Sequence, residues 1–131
     1  MNKLNLISES LNVTGKVCQV LKDFQSPVVV KNCGVRHNLN HIEIFNSSKN
    51  LVKDVSIRII GMPPEDCWWE HPNNPDKQLL VIPYIEPNSC TKHELMFTHF
   101  DDCDVQYTIT WYDWLGCKHS DTKCLHLEGI C

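Results

Sequence analysis

No stretch of this chain stays apolar for the roughly 20 residues a helix needs to cross a bilayer. Asn2–Ser10 is too polar and broken to form the apolar segment of a secretory leader. There is no long basic run, and the formal net charge is −4. Nucleic acid is bound by clustered cations that displace counterions, so the composition argues against that partner and, for the same reason, against an anionic membrane surface. The chain has no Gly-x-Ser-x-Gly elbow, no phosphate loop and no pair of carboxylates spaced for acid–base work. No window shows the 3.6-residue period of an amphipathic helix, and no linker or low-complexity tract divides the chain. The expectation is one domain over residues 1–131 that acts without catalysis, cofactor or metal.

What the chain has is cysteine: Cys18, Cys33, Cys67, Cys90, Cys103, Cys117, Cys124 and Cys131. An even count at wide spacing suits a disulfide framework in an oxidising compartment, so the chain is expected to be secreted; the alternative is a cytosolic protein with reduced thiols. A domain of this size buries about two thirds of its unfolded surface, so bridges would add to a core and not replace one. Two Asn-x-Ser/Thr triplets, at Asn12 and Asn46, are glycan acceptors in a secreted chain.

The periodicity is two. Val105, Tyr107, Ile109 and Trp111 alternate with Gln106, Thr108 and Thr110, and Val55, Ile57 and Ile59 alternate with Asp54, Ser56 and Arg58. Such side chains share a face only in a strand. Further strands are predicted at Val17–Lys22, Pro27–Lys31, around Ile42 and Ile44, at Leu79–Ile82 and at Glu94–Phe100. The turn formers of Asn46–Asn50 predict a hairpin between the Ile44 and Val55 strands, and Asp101–Asp104 predicts another onto the Val105 strand. About seven short strands at this spacing predict an immunoglobulin-like antiparallel β-sandwich. The proline-rich segment Gly61–Pro75 is expected to be a loop at one end, because proline lacks the amide donor a central strand needs.

That loop holds Trp68 and Trp69, which offer large rigid contact area to a protein or a sugar ring. Cys67 would anchor them, with Glu70 and His71 as polar contacts; the opposing reading is that the indoles cover the end of the core. Trp111 belongs to an apolar face and is expected in the core, whereas Tyr112 and Trp114 fall on the opposite side and are candidates for binding. The segment 115–131 is a cysteine- and histidine-rich tail in which Cys117, His119, Cys124, His126 and Cys131 have the ligand types of a zinc site. Their spacing is not that of paired zinc ligands, and disulfides are preferred there. Asp101, Asp102 and Asp104 lack the calcium-loop pattern and read as a solvated turn.

Between Asn40 and His99 the chain resembles the family 49 carbohydrate-binding modules of plant-type cellulases. The resemblance rests on Ile42-Glu43-Ile44-Phe45-Asn46-Ser47-Ser48, Val55-Ser56-Ile57-Arg58-Ile59, Trp68-Trp69, Ile82-Pro83-Tyr84-Ile85-Glu86-Pro87-Asn88-Ser89 and Leu95-Met96-Phe97. It implies a sandwich that holds a glycan on aromatic side chains, with Tyr84 among them. The cysteine-rich tail departs from that family. The chain is also similar to the small secreted cysteine-rich ligands of the tapetum-determinant type, which implies a protein partner. Through Thr108-Ile109-Thr110-Trp111 and the cysteines after it, the chain resembles the MD-2-related lipid-binding sandwiches. The expected function is therefore recognition of an extracellular protein as ligand, receptor or decoy, with a carbohydrate-binding module second. A lipid carrier, or a structural protein linked through Cys131, completes the set. Nothing in the sequence sets the oligomeric state.

Overall fold

The computed structural model describes residues 26–130; the strand at Val17–Lys22, the acceptor Asn12, and Cys18 and Cys131 lie outside the described residues. Period-two patterning becomes eight strands: β1 Val28–Arg36, β2 Leu39–Asn46, β3 Val52–Ile60, β4 Cys67–Trp69, β5 Leu79–Ile85, β6 Cys90–Phe97, β7 Cys103–Tyr112 and β8 Lys118–Leu127. They form two antiparallel sheets, ordered β1-β2-β6-β4 and β5-β3-β7-β8. This is the predicted all-β, immunoglobulin-like sandwich; the six strands expected within the described residues are present, and β4 and β8 are additional. Among the described residues no helix is long and apolar enough to cross a membrane.

The core is built as the alternation requires. Val105, Tyr107, Ile109 and Trp111 of β7 point inward with Val55, Ile57 and Ile59 of β3, and meet Ile42, Ile44, Leu95 and Phe97 of the other sheet. Each such aliphatic or phenyl side chain contributes about 1.5–3 kcal/mol through burial. Pro83 lies within β5, which is tolerated because β5 is an edge strand.

Both expected hairpins prove to be crossings. Asn46–Asn50 carries the chain from β2 in one sheet to β3 in the other, and Asp101–Asp104 lies on the crossing from β6 to β7. Alternation marks a face to be buried, but it does not say which sheet supplies it. Two pairs of consecutive strands do form hairpins, β1–β2 and β7–β8. The first turns through His37 and Asn38, both left-handed at φ 55° and 66°, which matches the two-residue turn that suits strand twist.

Buried amides hold the crossings. Asn46 is fully buried, and its Nδ2 donates to the carbonyls of Asn50 at 2.8 Å, Ile85 at 2.9 Å and Glu86 at 3.2 Å. A nitrogen committed in this way has no room for a glycan, which corrects the expectation of glycosylation at Asn46. Asn40, also fully buried, donates to the Glu128 carbonyl at 3.2 Å and accepts from the Glu128 amide at 2.9 Å, joining the end of the chain to β2. Gln78 donates to the carbonyls of Met62 and Cys67 at 2.9 and 3.0 Å.

The expected disulfide framework is not seen among the described cysteines. Cys33, Cys67, Cys90, Cys103 and Cys124 are free thiols, while Cys117 is disulfide-bonded. Cys33, Cys90 and Cys124 are exposed on different strands, so the fold does not bring all five together for bridging.

Candidate recognition surface

Gly61–Pro75 is not wholly a loop. No proline falls within Cys67–Trp69, and this tripeptide pairs with β6 as Cys67↔Phe97, Trp68↔Met96 and Trp69↔Leu95. Strand alternation then separates the two indoles. Cys67 and Trp69 point inward and are fully buried, and Trp68 points outward. Trp69 is therefore a core residue and not the contact residue expected, whereas Trp68 is accessible on the outer face.

Trp68 lies on the outer face of the first sheet. Leu39 of β2 pairs with Met96 of β6, which pairs with Trp68 of β4, so the three form one apolar row across three strands, each half-exposed. A second apolar row at the other end joins Val29, Phe45 and Cys90. Between them runs a charged band: Lys31, Glu43 and Lys92 alternate in sign across β1, β2 and β6, followed by His41 opposite Glu94. Opposite charges placed directly across strands support the sheet and set a polar rim against the apolar row.

A depression of about 210 Å³ adjoins Trp68, lined by His41, Glu70, His71, Lys92, His93 and Glu94. The indole Nε1 donates to Glu70 Oε2 at 2.8 Å, which fixes the orientation of the ring. The Glu70 amide donates to the Glu94 carbonyl at 2.8 Å, and His71 then turns the chain away with a left-handed φ of 56°. His41 Nδ1 lies 3.8 Å from Glu94 Oε2, and its Nε2 is buried without a hydrogen-bond partner. Burial holds the His93 imidazole below the usual range. The expected residues Trp68, Glu70 and His71 are thus brought together. Leu39, His41, Lys92, Glu94 and Met96 join them from strands distant in sequence, and the available signal was apolar side chains at the outward positions 39 and 96.

The other expected contact residues lie elsewhere. Tyr84, Lys53 and Tyr112 form a cross-strand row on the second sheet, with Tyr84 exposed. Trp114, 59% exposed, sits in the β7–β8 turn at the mouth of a cleft of about 360 Å³ lined by Leu51, Val52, Trp111, His119 and Lys123. Asp113 organises that turn. Its Oδ1 accepts from the amides of Leu115 at 2.8 Å and Cys117 at 3.0 Å, and its Oδ2 lies 2.7 Å from His119 Nε2. The His119 ring stacks on Trp111 at 5.2 Å.

The cysteine- and histidine-rich tail is mostly strand, since residues 118–127 pair with β7 throughout. His119 is buried beneath the sheet while Cys124 and His126 stand exposed on its outer side, so these three do not converge, and no group of metal-ligating side chains forms among the described residues. His126 serves the Asp101–Asp104 turn instead. Its Nδ1 meets Asp104 Oδ1 at 2.8 Å and its Nε2 meets Asp102 Oδ2 at 3.4 Å. The hydrogen bond to Asp104, followed by that to Asp102, holds the imidazole above its ordinary 6.5. A raised folded-state value means that this pairing stabilises fully below the unfolded-chain value and is lost as pH rises through the folded one. An NMR titration should place the His126 midpoint above 6.5 and show it falling in Asp104→Asn; an unmoved midpoint in the variant would contradict the pairing.

No family model matches the sequence, and no curated protein matches it. In structure the chain is similar to the GAE domain of GGA2p from Saccharomyces cerevisiae, at 9% identity and a TM-score of 0.48, covering 81% of this chain and 95% of that one. It is similar to the Vibrio cholerae VesB protease at 12% identity and 0.48, covering 86% of this chain and 34% of that one. It is also similar to the ASH/PapD-like domain 7 of human CEP192 at 9% identity and 0.44, covering 79% and 85%.

Proposed function

We propose that the protein is a secreted, non-enzymatic recognition module that binds a protein partner through the outer face of the first sheet, centred on Trp68. The observation that carries this reading is the in-register row Leu39–Met96–Trp68, an apolar strip on a solvent-facing sheet beside a band of alternating charge. A rigid indole ringed by polar side chains is the pattern of an interface anchor. The glycan reading draws on the same indole and on Glu70 and Glu94 in the adjoining depression, which would accept sugar hydroxyls. The lipid-carrier reading is supported less, because the space between the sheets is filled by side chains and the cleft beside Trp114 includes Asp113, His119, Asp121 and Lys123.

The test compares the wild type with Trp68→Ala and Tyr84→Ala as baits in extracellular fluid. A protein retained by the wild type and Tyr84→Ala, but weakened about 30-fold or more by Trp68→Ala, fits an anchor contributing about 2 kcal/mol. Equal retention by Trp68→Ala would sink the proposal. Glycan-array binding lost in the same variant would move the reading to a carbohydrate-binding module.

A further inference from the structure

Two of the free thiols differ from the rest in position. Cys67 of β4 points inward and is fully buried. Cys103 opens β7 in the opposite sheet, shares the inward parity of Val105 and Tyr107, and packs against the buried cluster that includes Cys67. The crossing between them is short and begins beside Cys67: Phe97 is its register partner, and the next residue, Thr98, donates its amide to the Asp66 carbonyl at 3.0 Å. The two sulfurs therefore face one space at the same end of the sandwich. Their electrostatics agree, since burial, then Cys103, then Asp66 push the Cys67 thiol up to about 12.

We propose that Cys67 and Cys103 are a redox pair that closes into a disulfide between the two sheets and locks β4 onto β7. β4 is three residues long and is the edge strand that carries Trp68, so the bond would fix the recognition face. That consequence rests on the proposed role of Trp68, whereas the bond itself does not.

The chemistry needs a disulfide oxidant, and glutathione disulfide has the right class. Cys103 is only half-buried and is the thiol an oxidant can reach. Its thiolate attacks one glutathione sulfur, forming a mixed disulfide and releasing one glutathione. Cys67 then gives up its proton and attacks the Cys103 sulfur, releasing the second glutathione. Two protein thiols are oxidised and one disulfide is reduced to two thiols. Because a buried thiol ionises reluctantly, the second step is the slow one.

The experiment oxidises the folded full-length chain with glutathione disulfide, blocks remaining thiols in denaturant and maps the peptides without reduction. The expected result is a cross-linked pair containing Cys67 and Cys103, with Tm raised by roughly 10 °C over the reduced form. Cys103→Ser, which avoids changing the fully buried position, should abolish that shift, and Cys33→Ser and Cys124→Ser should retain it. Cys67 found alkylated or paired elsewhere at the end of oxidation would overturn the proposal, as would a full Tm shift in Cys103→Ser. A bridged protein whose Trp68→Ala variant binds like the wild type would remove the recognition role and leave the bond standing.

Discussion

Trp69→Ala is expected to cost about 3–5 kcal/mol of folding stability, against less than about 1 kcal/mol for Trp68→Ala. The two residues are adjacent and identical, so the contrast isolates the effect of facing. Trp69 is fully buried, pairs with Leu95 and meets His93 edge-on at 6.4 Å between ring centroids. Truncation would leave a cavity in the buried cluster that holds Leu95 and Phe97, and cores collapse only partly around such voids. The Trp69 Nε1 is buried without a hydrogen-bond partner. Trp69→Phe removes that unpaired donor and keeps most of the ring, so it should cost only about 1 kcal/mol. Urea unfolding midpoints with unchanged slopes would measure all three. Comparable losses for Trp68→Ala and Trp69→Ala would contradict the placement of β4.

Asp113→Ala is the second large effect, at about 3 kcal/mol. Both carboxylate oxygens are in use, one on two turn amides and one on His119 at 2.7 Å. Asp113 and His119 are 8% and 4% exposed, so water cannot readily replace the lost acceptor, and each buried donor left unpaired costs about 1–3 kcal/mol. The carboxylate only accepts, so the His119 nitrogen facing it carries the hydrogen, and the stack on Trp111 holds the ring in that orientation. Asp113→Asn can keep its one acceptor oxygen on the turn amides but then presents an N–H to His119. It should lose about half as much as Asp113→Ala. Chemical denaturation of the two variants checks the order; an asparagine variant as unstable as the alanine one would show that the turn amides contribute little.

The alternation in β3 and β7 made the core legible, and Trp111 was placed there correctly from its spacing alone. β8 escaped because its inward positions 121 and 123 hold Asp and Lys, both exposed at the cleft, so half of the strand lacks an apolar face. β4 escaped because the prolines around it dominate the segment, although none stands inside it. The turn chemistry of Asn46–Ser48 was real, with Ser48 Oγ donating to Asn46 Oδ1 at 2.8 Å, but the same residue also reaches back to Ile85 and Glu86. A local signal cannot reveal that use. Trp68 was legible as a residue type, while its neighbours Leu39 and Met96 were not, because their proximity depends on a strand order that the sequence does not encode locally.

The division of neighbouring strands between sheets also affects how the chain reaches its native state. Among the described strands, only the β1–β2 and β7–β8 hairpins join strands that follow one another in sequence. Hairpins of this kind form in about 1–10 μs. Every other pairing closes a longer loop whose entropy must be lost before its contacts form, which places such sandwiches in the millisecond-to-second range. For that interval Tyr107, Ile109 and Trp111 project from a finished hairpin with no opposing sheet to cover them. The polar, charged character of β8 keeps one half of that early ribbon soluble, so the same Asp and Lys that hid the strand from its sequence would protect the chain from self-association while it folds.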